Sequence, residues 1–404
     1  MSDIFIIGAG CSVPYGFPTG RDLMQSLKNF NYGRKFPRST YDTSDIFLVD
    51  LYQEHFGYSS TDNKRQYGKD YAWVLPDTEH ENFYNKLMDE IVLPFSRSVQ
   101  NSMMVSTDEF LKNRLDQKQS EQANFGKRLI AYEILKAEQK SLKQPSISKK
   151  ISKPSNDKWL GNIDWMQHLL SLIDQQSNWE EILKQTVFLT FNYDRVLEYC
   201  IFLYLISDKQ YVVADAHGFI KEMQIYHVNG FIGPLEEIPF GAVENGKYQE
   251  IAKRMETVWE KRQNRDESEK EKYQGFLKNA QRVYFMGFSY IPDNLESIGI
   301  NRRAEIIQDA EVYATAMGLS SQNRLRISAY LDLKDFEKRN EPEPMPEIEV
   351  QRGPFMTDIM YQQEYEKQER AAKKQIRSRR IRYENRILKD ASAVDLILDY
   401  YTFQ

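Results

Sequence analysis

A short apolar run that ends in a glycine-rich segment lies near residue 1, and it restricts the possible folds more than any other feature. Residues 3–7 read Asp-Ile-Phe-Ile-Ile, and the thirteen residues from Gly8 to Gly20 include four glycines and two prolines. A short apolar run that ends at glycine is typical of a buried strand rather than a helix. From Arg21 the pattern becomes helical, with Thr19 as a candidate N-cap. A strand, a glycine-rich turn and a helix in this order indicate an α/β fold.

Further short apolar runs follow from residue 186 onwards and alternate with helical segments. The runs that we interpret as strands cover residues 186–190, 211–213, 225–228, 282–286 and 311–314. Strands that alternate with helices indicate a parallel sheet. We therefore predict a Rossmann-like parallel sheet flanked by helices, with a large helical insertion and a charged C-terminal extension. The predicted domains are residues 1–330, which contain the insertion at about 30–180, and an extension over 331–404 with a Pro-rich arm, a basic helix and an aromatic end.

Composition excludes several classes of protein. Hydrophobic residues make up 41% of the 404 residues, charged residues 28%, and the net charge is −5, which is the profile of an ordinary globular chain and not of a disordered or collagenous one. Two cysteines cannot form a disulfide framework or a four-cysteine zinc site. No apolar stretch approaches the roughly 20 residues of a membrane span, and no signal peptide is evident. We therefore expect a cytoplasmic protein with no bound metal and no membrane association.

The glycine-rich segment is a candidate nucleotide site. A glycine turn between a first strand and a helix presents backbone N–H groups to which a phosphate can bind. Gly8 permits a tight turn, and Gly10 lets the backbone approach a pyrophosphate without a Cβ. The spacing Gly-x-Gly-x5-Gly differs from the dehydrogenase pattern, and no acidic residue follows on a second strand, so hydride transfer is disfavoured. The alternative is a turn with no ligand.

Polar residues also follow later strands, at the edge where ligands of open α/β sheets bind. Asn192 and Asp194 come after the strand at 186–190, and Asp194 has the alternative role of capping the next helix. His227 and Asn229 share one face of their strand. Histidine titrates near neutral pH, which makes His227 a candidate general base, although a lone histidine is more often structural.

Taken together, the strand-end segments resemble the sirtuin-like family, and in particular the NAD-degrading effectors of bacterial anti-phage defence. The resemblance covers roughly residues 1–330 and rests on the order and spacing of short motifs. The matching residues are Gly8, Ala9, Gly10, Cys11 and Ser12 with Gly16 and Pro18, then Phe191, Asn192, Tyr193 and Asp194, then His227, Val228, Asn229 and Gly230, and finally Gly287, Phe288, Ser289 and Asn294. Residues 107–111 also resemble the helical insertion of these effectors.

The resemblance implies an enzyme that cleaves the nicotinamide–ribose bond of NAD+, with NAD+ as its substrate and no metal. The residues implied to bind NAD+ are Gly8, Ala9, Gly10, Cys11, Ser12, Gly16, Pro18, Asn229, Gly230, Gly287, Phe288, Ser289 and Asn294. Within that set, the glycine-rich segment would hold the pyrophosphate and the segment after Gly287 would contact the adenosine. Asn192 would hold the nicotinamide ribose and the attacking water, with Asp194 in support. Hydrolysis to ADP-ribose and cyclisation both stay open.

One position departs from the family. Where the family usually has Leu-His-Gly, this chain has Val228-Asn229-Gly230, and an asparagine cannot act as a base. We predict that His227, two residues earlier on the same strand face, is the catalytic base; His217 is the weaker alternative. Protein deacylation is not expected, because the four-cysteine zinc ribbon of deacylating sirtuins is missing. The departure leaves a second hypothesis, a catalytically weak NAD-binding scaffold subunit that regulates a partner ATPase or nuclease.

The C-terminal part carries the predictions about partners. Residues 367–389 contain ten Lys or Arg residues against two Glu, at spacings compatible with a helix. Such a helix is either a solvated surface or a contact for nucleic acid or an acidic partner. The apolar and aromatic end at 394–403 is a candidate docking element. By resemblance we expect a homo-oligomer and a defence partner, either a HerA-type ATPase or a nucleotide-sensing subunit, that activates depletion of cellular NAD+ during phage infection.

Overall fold

Seven parallel strands form one sheet in a computed structural model that describes residues 2–30, 32, 86–104, 106–142, 164–243, 247–257, 260, 267–301, 304–335, 358–383 and 386–401. The strands are β1 (Ser2–Ile7), β2 (Val187–Thr190), β3 (Gln224–His227), β4 (Ala280–Met286), β5 (Glu311–Thr315), β6 (Lys334–Asp335) and β7 (Arg386–Lys389). Their order is β3-β2-β1-β4-β5-β7-β6, and every neighbouring pair is parallel. The predicted α/β fold with a Rossmann-like parallel sheet is confirmed.

The central strand β1 is buried on both faces, as a parallel sheet covered by helices requires. Phe5 and Ile7 belong to one hydrophobic core, and Ile4 and Ile6 belong to a second core. All four side chains are at most 2% exposed. Because alternate residues of a strand point to opposite faces, one continuous apolar run fills two cores.

The chain changes direction across the sheet at β1. It passes from β1 to β2 and β3 on one side, and then returns to β4, which pairs with β1 on the other side. Where connections leave in opposite directions, a crevice forms beyond the carboxyl ends of the two strands. The glycine-rich segment after β1 and Gly287 after β4 both lie at this point.

Helices cover both faces of the sheet. In chain order the α-helices of the described residues are α1 (Gly20–Asn29), α2 (Leu93–Gln100), α3 (Thr107–Asp116), α4 (Ser120–Leu142), α5 (Trp165–Asp174), α6 (Trp179–Gln185), α7 (Val196–Ser207), α8 (Val213–Glu222), α9 (Tyr248–Arg254), α10 (Glu267–Lys278), α11 (Pro292–Ser297), α12 (Ser321–Leu331), α13 (Asp358–Tyr383) and α14 (Ala393–Tyr400). Helices α1–α9 and α14 contribute to the first core, and α10–α12 contribute to the second. None of the helices in the described ranges is long and apolar enough to span a membrane.

The described residues between β1 and β2 are mainly helical and include α1–α6, so the predicted helical insertion is confirmed for this part. The strand predicted at 211–213 is wrong. Helix α8 begins at Val213, and the carbonyl of Val212 accepts the Ala216 N–H at 3.0 Å. Val212 and Val213 are 63% and 57% exposed, so this apolar run is not the buried strand that its composition suggested.

The C-terminal residues complete the sheet instead of forming an extension. Strand β7 lies between β5 and β6. Arg386, the first residue of β7, is 2% exposed, and its guanidinium donates to four backbone carbonyls. The expectation of a separate extension is therefore wrong for residues 386–401. A basic composition predicts a surface segment, whereas the arginine of this strand is buried and hydrogen-bonded.

The described part of the aromatic end contributes Leu396, Ile397 and Tyr401 to the first core, so these side chains are not free for docking. The ring of Tyr401 lies 5.7 Å from the rings of Phe5 and Tyr284, between centroids. Helix α13 confirms a helix for the first part of the basic stretch. The Pro-rich arm lies outside the described residues.

Candidate functional site

Three polar side chains meet at the carboxyl ends of β1 and β2. The Asn192 side chain donates from Nδ2 to the Gly8 carbonyl at 3.2 Å and to Ser12 Oγ at 3.0 Å. Ser12 Oγ in turn donates to Asp194 Oδ1 at 3.1 Å. Ser12, Asn192 and Asp194 are 3%, 7% and 8% exposed. The structure therefore joins the predicted residues of the glycine-rich segment to those after β2 in one buried network.

The glycines of the first loop are explained by contact with the loop after β4. The N–H of Gly8 donates to the Met286 carbonyl and that of Gly10 to the Gly287 carbonyl, both at 3.0 Å. A Cβ on Gly8 would lie 2.5 Å from the Gly287 oxygen, and a Cβ on Gly10 would lie 2.8 Å from the Gly287 Cα. Gly287 has a φ of +56°, and a Cβ there would lie 2.4 Å from the Cys11 nitrogen. The missing Cβ atoms thus permit two backbones to touch.

The N–H groups of the loop are largely used inside the protein. Besides Gly8 and Gly10, Cys11 donates to the Gly8 carbonyl and Ser12 to the Ala9 carbonyl, each at 3.0 Å. A phosphate site needs N–H groups that point at the ligand without another acceptor. The interpretation of this segment as a set of bare N–H groups is therefore wrong for these four residues. A pyrophosphate contact stays a prediction, with the exposed backbone at Gly10 as the remaining surface.

The N-terminus of α1 already holds a negative group. Thr19 caps this helix, and Asp22 Oδ2 accepts hydrogen bonds from the Thr19 N–H at 3.1 Å and from its hydroxyl at 2.6 Å. These hydrogen bonds hold the pKa of Asp22 below its usual value. The ionised carboxylate complements the positive end of the helix dipole. A phosphate at this end of α1 would meet that carboxylate.

The other predicted residues of the first loop have structural roles. Gly16 has a φ of +85° and ends a 3-10 turn, with its N–H on the Val13 carbonyl at 2.9 Å. Pro18 is half-buried and precedes the cap of α1. Ala9 is half-buried, and Cys11 is 1% exposed. Burial, followed by the nearby Asp194 carboxyl, raises the pKa of the Cys11 thiol far above its usual value, so this thiol is unreactive.

Asp194 is a buried carboxyl group with no cation partner in the part of the chain that the structure describes. Its Oδ1 accepts hydrogen bonds from Ser12 and from the Val196 N–H at 3.2 Å, the first N–H of α7. The N-cap residue of α7 is Arg195 and not Asp194, which the alternative interpretation proposed. Burial, with smaller contributions from the carboxyls of Glu198 and Glu138, raises the pKa of Asp194 to about 6 despite those hydrogen bonds. At neutral pH this group is largely ionised, yet it releases and accepts protons close to that pH.

His227 does not have the geometry of a free base. Its Nδ1 lies 2.9 Å from the Asn192 carbonyl, and its Nε2 lies 2.5 Å from Glu198 Oε1. A carbonyl only accepts, so Nδ1 carries a proton, and an ionised Glu198 requires a proton on Nε2 as well. Burial lowers the pKa of His227, but the ion pair with Glu198 and both hydrogen bonds outweigh it and leave the pKa raised. Both ring nitrogens are occupied in this geometry, and His227 holds the backbone of Asn192, so its role as general base stays a prediction.

Asn229 occupies the position that is usually histidine in the resembled family, and it is 5% exposed. Its Oδ1 is buried and has no hydrogen-bond donor among the described residues. The next residue, Gly230, has a φ of +72°, and a Cβ there would lie 1.8 Å from the Arg254 carbonyl oxygen. The glycine is thus required by backbone geometry, whereas the asparagine oxygen is available to accept a hydrogen bond from a ligand.

The segment after β4 divides into core and surface residues. Phe288 is 5% exposed and packs edge-on against Phe191, with ring centroids 4.9 Å apart, so it is a core residue and not a ligand contact. Ser289 is exposed. Asn294 is 9% exposed, and its Oδ1 has no donor among the described residues. Gly287 also donates its N–H to Thr315 Oγ1 at 3.0 Å, which joins the end of β5 to the site.

The sequence interpretation missed several residues that support the site. Trp165 Nε1 donates to the Cys11 carbonyl at 3.0 Å, and the Tyr15 hydroxyl donates to Asp164 at 2.6 Å. Both contacts join the glycine-rich segment to the start of α5, about 150 positions away in the sequence. The local sequence pattern does not predict them. Glu198 lies four residues after Asp194, and that spacing on a helix was the only available indication of a second carboxyl.

Comparison of the chain with models of protein families, with curated proteins and with solved structures found no match. Within the described ranges, no group of three or more His, Cys, Asp or Glu side chains is placed to hold a metal ion.

Proposed function

We propose that this chain is an NAD+ glycohydrolase whose site is the network of Ser12, Asn192 and Asp194. Its biological role would be that of the resembled effectors, which deplete cellular NAD+ during anti-phage defence. The observation that carries the proposal is the buried carboxyl of Asp194, which has no cation partner among the described residues and is joined to Asn192 through Ser12, next to the switch point of the sheet. The strand-end motifs described above support the choice of NAD+ among nucleotides.

The charges around the site suit a cationic substrate. Arg195 pairs with Glu138 at 2.6 Å and His227 pairs with Glu198 at 2.5 Å, so both buried cations are neutralised. Asp194 stays without a cation among the described residues. The nicotinamide ring of NAD+ carries one positive charge, and the charge moves to the ribose as the bond to the ring breaks. A fixed carboxylate at this place stabilises both forms.

The reaction needs one proton acceptor. The bond between ribose C1′ and the ring nitrogen breaks, its electron pair goes to the nitrogen, and neutral nicotinamide leaves. Water then attacks C1′ and loses a proton. Asp194 with a pKa of about 6 accepts that proton at neutral pH, directly or through the Ser12 hydroxyl, so no free imidazole is required. Asn192 orients the ribose and the water by its amide, and His227 orients Asn192.

Release of nicotinamide from NAD+ tests the proposal. We expect the wild-type protein to release nicotinamide, in its activating assembly if one is needed, and Asn192→Ala to release none. Asn279→Ala is the matched control, because the side-chain amide of Asn279 also donates to a backbone carbonyl, at 2.8 Å, but that carbonyl belongs to α10. Chromatography of the products distinguishes ADP-ribose from cyclic ADP-ribose. Full turnover by Asn192→Ala would contradict the assigned site.

A second candidate function is a catalytically weak, NAD-binding scaffold subunit that regulates a partner ATPase or nuclease. The observation in its favour is that both nitrogens of His227 are occupied while Asn229 replaces the family histidine. Calorimetric binding of NAD+ without turnover, alone and with candidate partners, would favour this function. The partners proposed by resemblance are a HerA-type ATPase or a nucleotide-sensing subunit, together with further copies of this chain. Nucleic-acid binding through the basic residues of α13 is a separate proposal.

A further inference from the structure

Residues 192–195 contact two different parts of the molecule in alternation. Asn192 and Asp194 bond to the glycine-rich segment, as described above. Tyr193 and Arg195 bond to the helical insertion and to the loops that pack on it. Each residue of the proposed site is therefore followed along the chain by a residue that is anchored elsewhere.

Tyr193 reaches the start of α3. Its hydroxyl lies 3.0 Å from the Glu256 carbonyl and 3.3 Å from Asp108 Oδ1. Asp108 is in the first turn of α3. One phenol thus links the backbone between Asn192 and Asp194 to a helix residue 85 positions earlier in the chain.

Arg195 reaches the C-terminal half of α4. It is completely buried, and its Nε and Nη2 lie 3.1 and 2.6 Å from the two oxygens of Glu138. The same guanidinium donates to the carbonyl of Gly233 at 3.1 Å and to that of Ile238. Glu138 Oε2 also accepts the Gly241 N–H at 2.9 Å. A planar guanidinium with this many partners fixes the backbone at residue 195 with little freedom.

The two anchoring helices pack closely enough to move together. Gly126 lies in the middle of α4, and a Cβ there would lie 2.5 Å from Leu111 Cδ2 of α3 and 2.9 Å from Phe95 Cε2 of α2. A side chain at position 126 would therefore require Leu111 and Phe95 to shift. Helices α2, α3 and α4, called here the helical unit, therefore form one packed body that carries both Asp108 and Glu138.

The segment after β3 rests on the same helical unit. The Asn229 carbonyl accepts the Glu256 N–H at 2.8 Å. Lys127 of α4 forms an ion pair with Glu260 at 2.6 Å, and Glu260 accepts the Thr257 N–H at 2.9 Å. The strand ends of β2 and β3 are thus held by the helical unit, whereas the strand end of β1 is held by the loop after β4.

We propose that Tyr193 and Arg195 are positioning residues that couple the helical unit to Asn192 and Asp194, so that a displacement of the helical unit switches the site. The glycine contacts fix one half of the site to the sheet, and the helical unit sets the other half. An activating partner or assembly that binds the helical unit would act on the site through these two side chains. The proposal concerns regulation of the proposed NAD+ site and rests on that function only for its effect on turnover.

Hydrogen–deuterium exchange of the full chain tests the coupling without any substrate. In Tyr193→Phe, which removes both contacts of the hydroxyl, we expect the amides of residues 187–198 to exchange about tenfold faster. In Asp108→Ala we expect a smaller increase, because the hydroxyl keeps its hydrogen bond to the Glu256 carbonyl at 3.0 Å. Asp108→Asn keeps an acceptor oxygen for the Tyr193 hydroxyl and should exchange as the wild type does. Tyr204→Phe is the matched control, because Tyr204 on α7 donates to Asp174 at 2.6 Å away from residues 192–194.

The outcomes separate the coupling from the proposed function. Unchanged exchange over residues 187–198 in both Tyr193→Phe and Asp108→Ala would overturn the coupling, whether or not the wild type hydrolyses NAD+. Faster exchange in a protein without turnover would support the coupling and contradict the enzyme. In an active protein, Tyr193→Phe should lower kcat on the order of tenfold with KM within about twofold, as expected for lost positioning. Faster exchange with an unchanged kcat would refute the positioning role.

Discussion

Alanine at position 287 tests whether the glycines hold the loops after β1 and β4 against each other. A Cβ at 287 would lie 2.4 Å from the Cys11 nitrogen and 2.7 Å from the Gly10 carbonyl carbon. Both are backbone atoms, so no side-chain rotation relieves the overlap. The φ of +56° adds a conformational penalty that any L-residue meets.

The expected destabilisation has a conformational term and a packing term, and other glycines of the chain allow each term to be measured separately. An alanine in the left-handed region costs about 1–2 kcal/mol, of which the stiffer unfolded chain offsets about 0.4–1 kcal/mol. Overpacking adds about 1–3 kcal/mol. Gly287→Ala should therefore destabilise the protein by about 1–5 kcal/mol. Gly318 has a φ of +73° with nothing within 4 Å of its Cβ position, so Gly318→Ala carries the conformational term alone. Gly10→Ala carries the packing term alone.

Urea denaturation followed by circular dichroism measures these differences through the transition midpoint at constant m-value. Gly275→Ala is the control for a replacement without overlap: Gly275 lies in α10 with nothing within 4 Å of its Cβ position, so alanine there should stabilise the protein by about 0.5–1 kcal/mol. A midpoint for Gly287→Ala equal to that of Gly318→Ala would refute the contact between the loops. It would also restore the interpretation of Gly8 and Gly10 as residues kept free for a phosphate.

Three further predictions concern buried charges. Asp194→Asn should abolish nicotinamide release and yet raise the free energy of unfolding by up to about 3 kcal/mol at pH 8, with no such gain at pH 4. The reason is that the folded pKa of about 6 exceeds the unfolded value, so ionisation of Asp194 disfavours folding above that pH. An effect that does not depend on pH would contradict the burial of Asp194. Because the pKa of His227 is raised, its ion pair with Glu198 stabilises the protein fully below the unfolded pKa of about 6.5, and this stabilisation is lost as the pH rises through the folded pKa. The free energy of unfolding of Glu198→Gln, measured with urea, should therefore lie below that of the wild type at pH 6 and approach it at higher pH. Glu138→Gln leaves Arg195 buried without its anion and should lower the free energy of unfolding by about 3–5 kcal/mol, measured by urea denaturation; an effect below about 1 kcal/mol would contradict the buried pair.

The fold was readable from the sequence where the signal is local. The run at residues 3–7, the glycine turn and the alternation of strands with helices gave a parallel α/β sheet, because burial on both faces produces uninterrupted apolar runs. The same rule failed at 211–213, where an apolar run lies exposed at the start of α8. The rule also missed β7, because the strand begins with an arginine, a residue type that predicts a surface position. In the structure this arginine donates to four carbonyls.

The candidate site was readable only in part. Strand-end position placed Asn192 and Asp194 at the edge of the sheet where ligands bind, and the resemblance added Ser12; the structure brings the three side chains together. Residue type suggested that His227 was a base, but a side chain's chemistry depends on its partners, and Glu198 together with the Asn192 carbonyl occupies both ring nitrogens.

What the sequence by itself determined is the class of fold and the places where polar groups end strands, because periodicity and turn chemistry act over a few neighbouring residues. Only the tertiary structure decided what each group does. Ser12 and Asp194 are 182 positions apart, and their hydrogen bond exists because β1 and β2 are paired in the sheet. Burial sets the protonation of Asp194, and the backbone of Gly287 takes the space that the glycines leave open. Contacts and burial of this kind are properties of the folded chain and have no counterpart in the local pattern of residues.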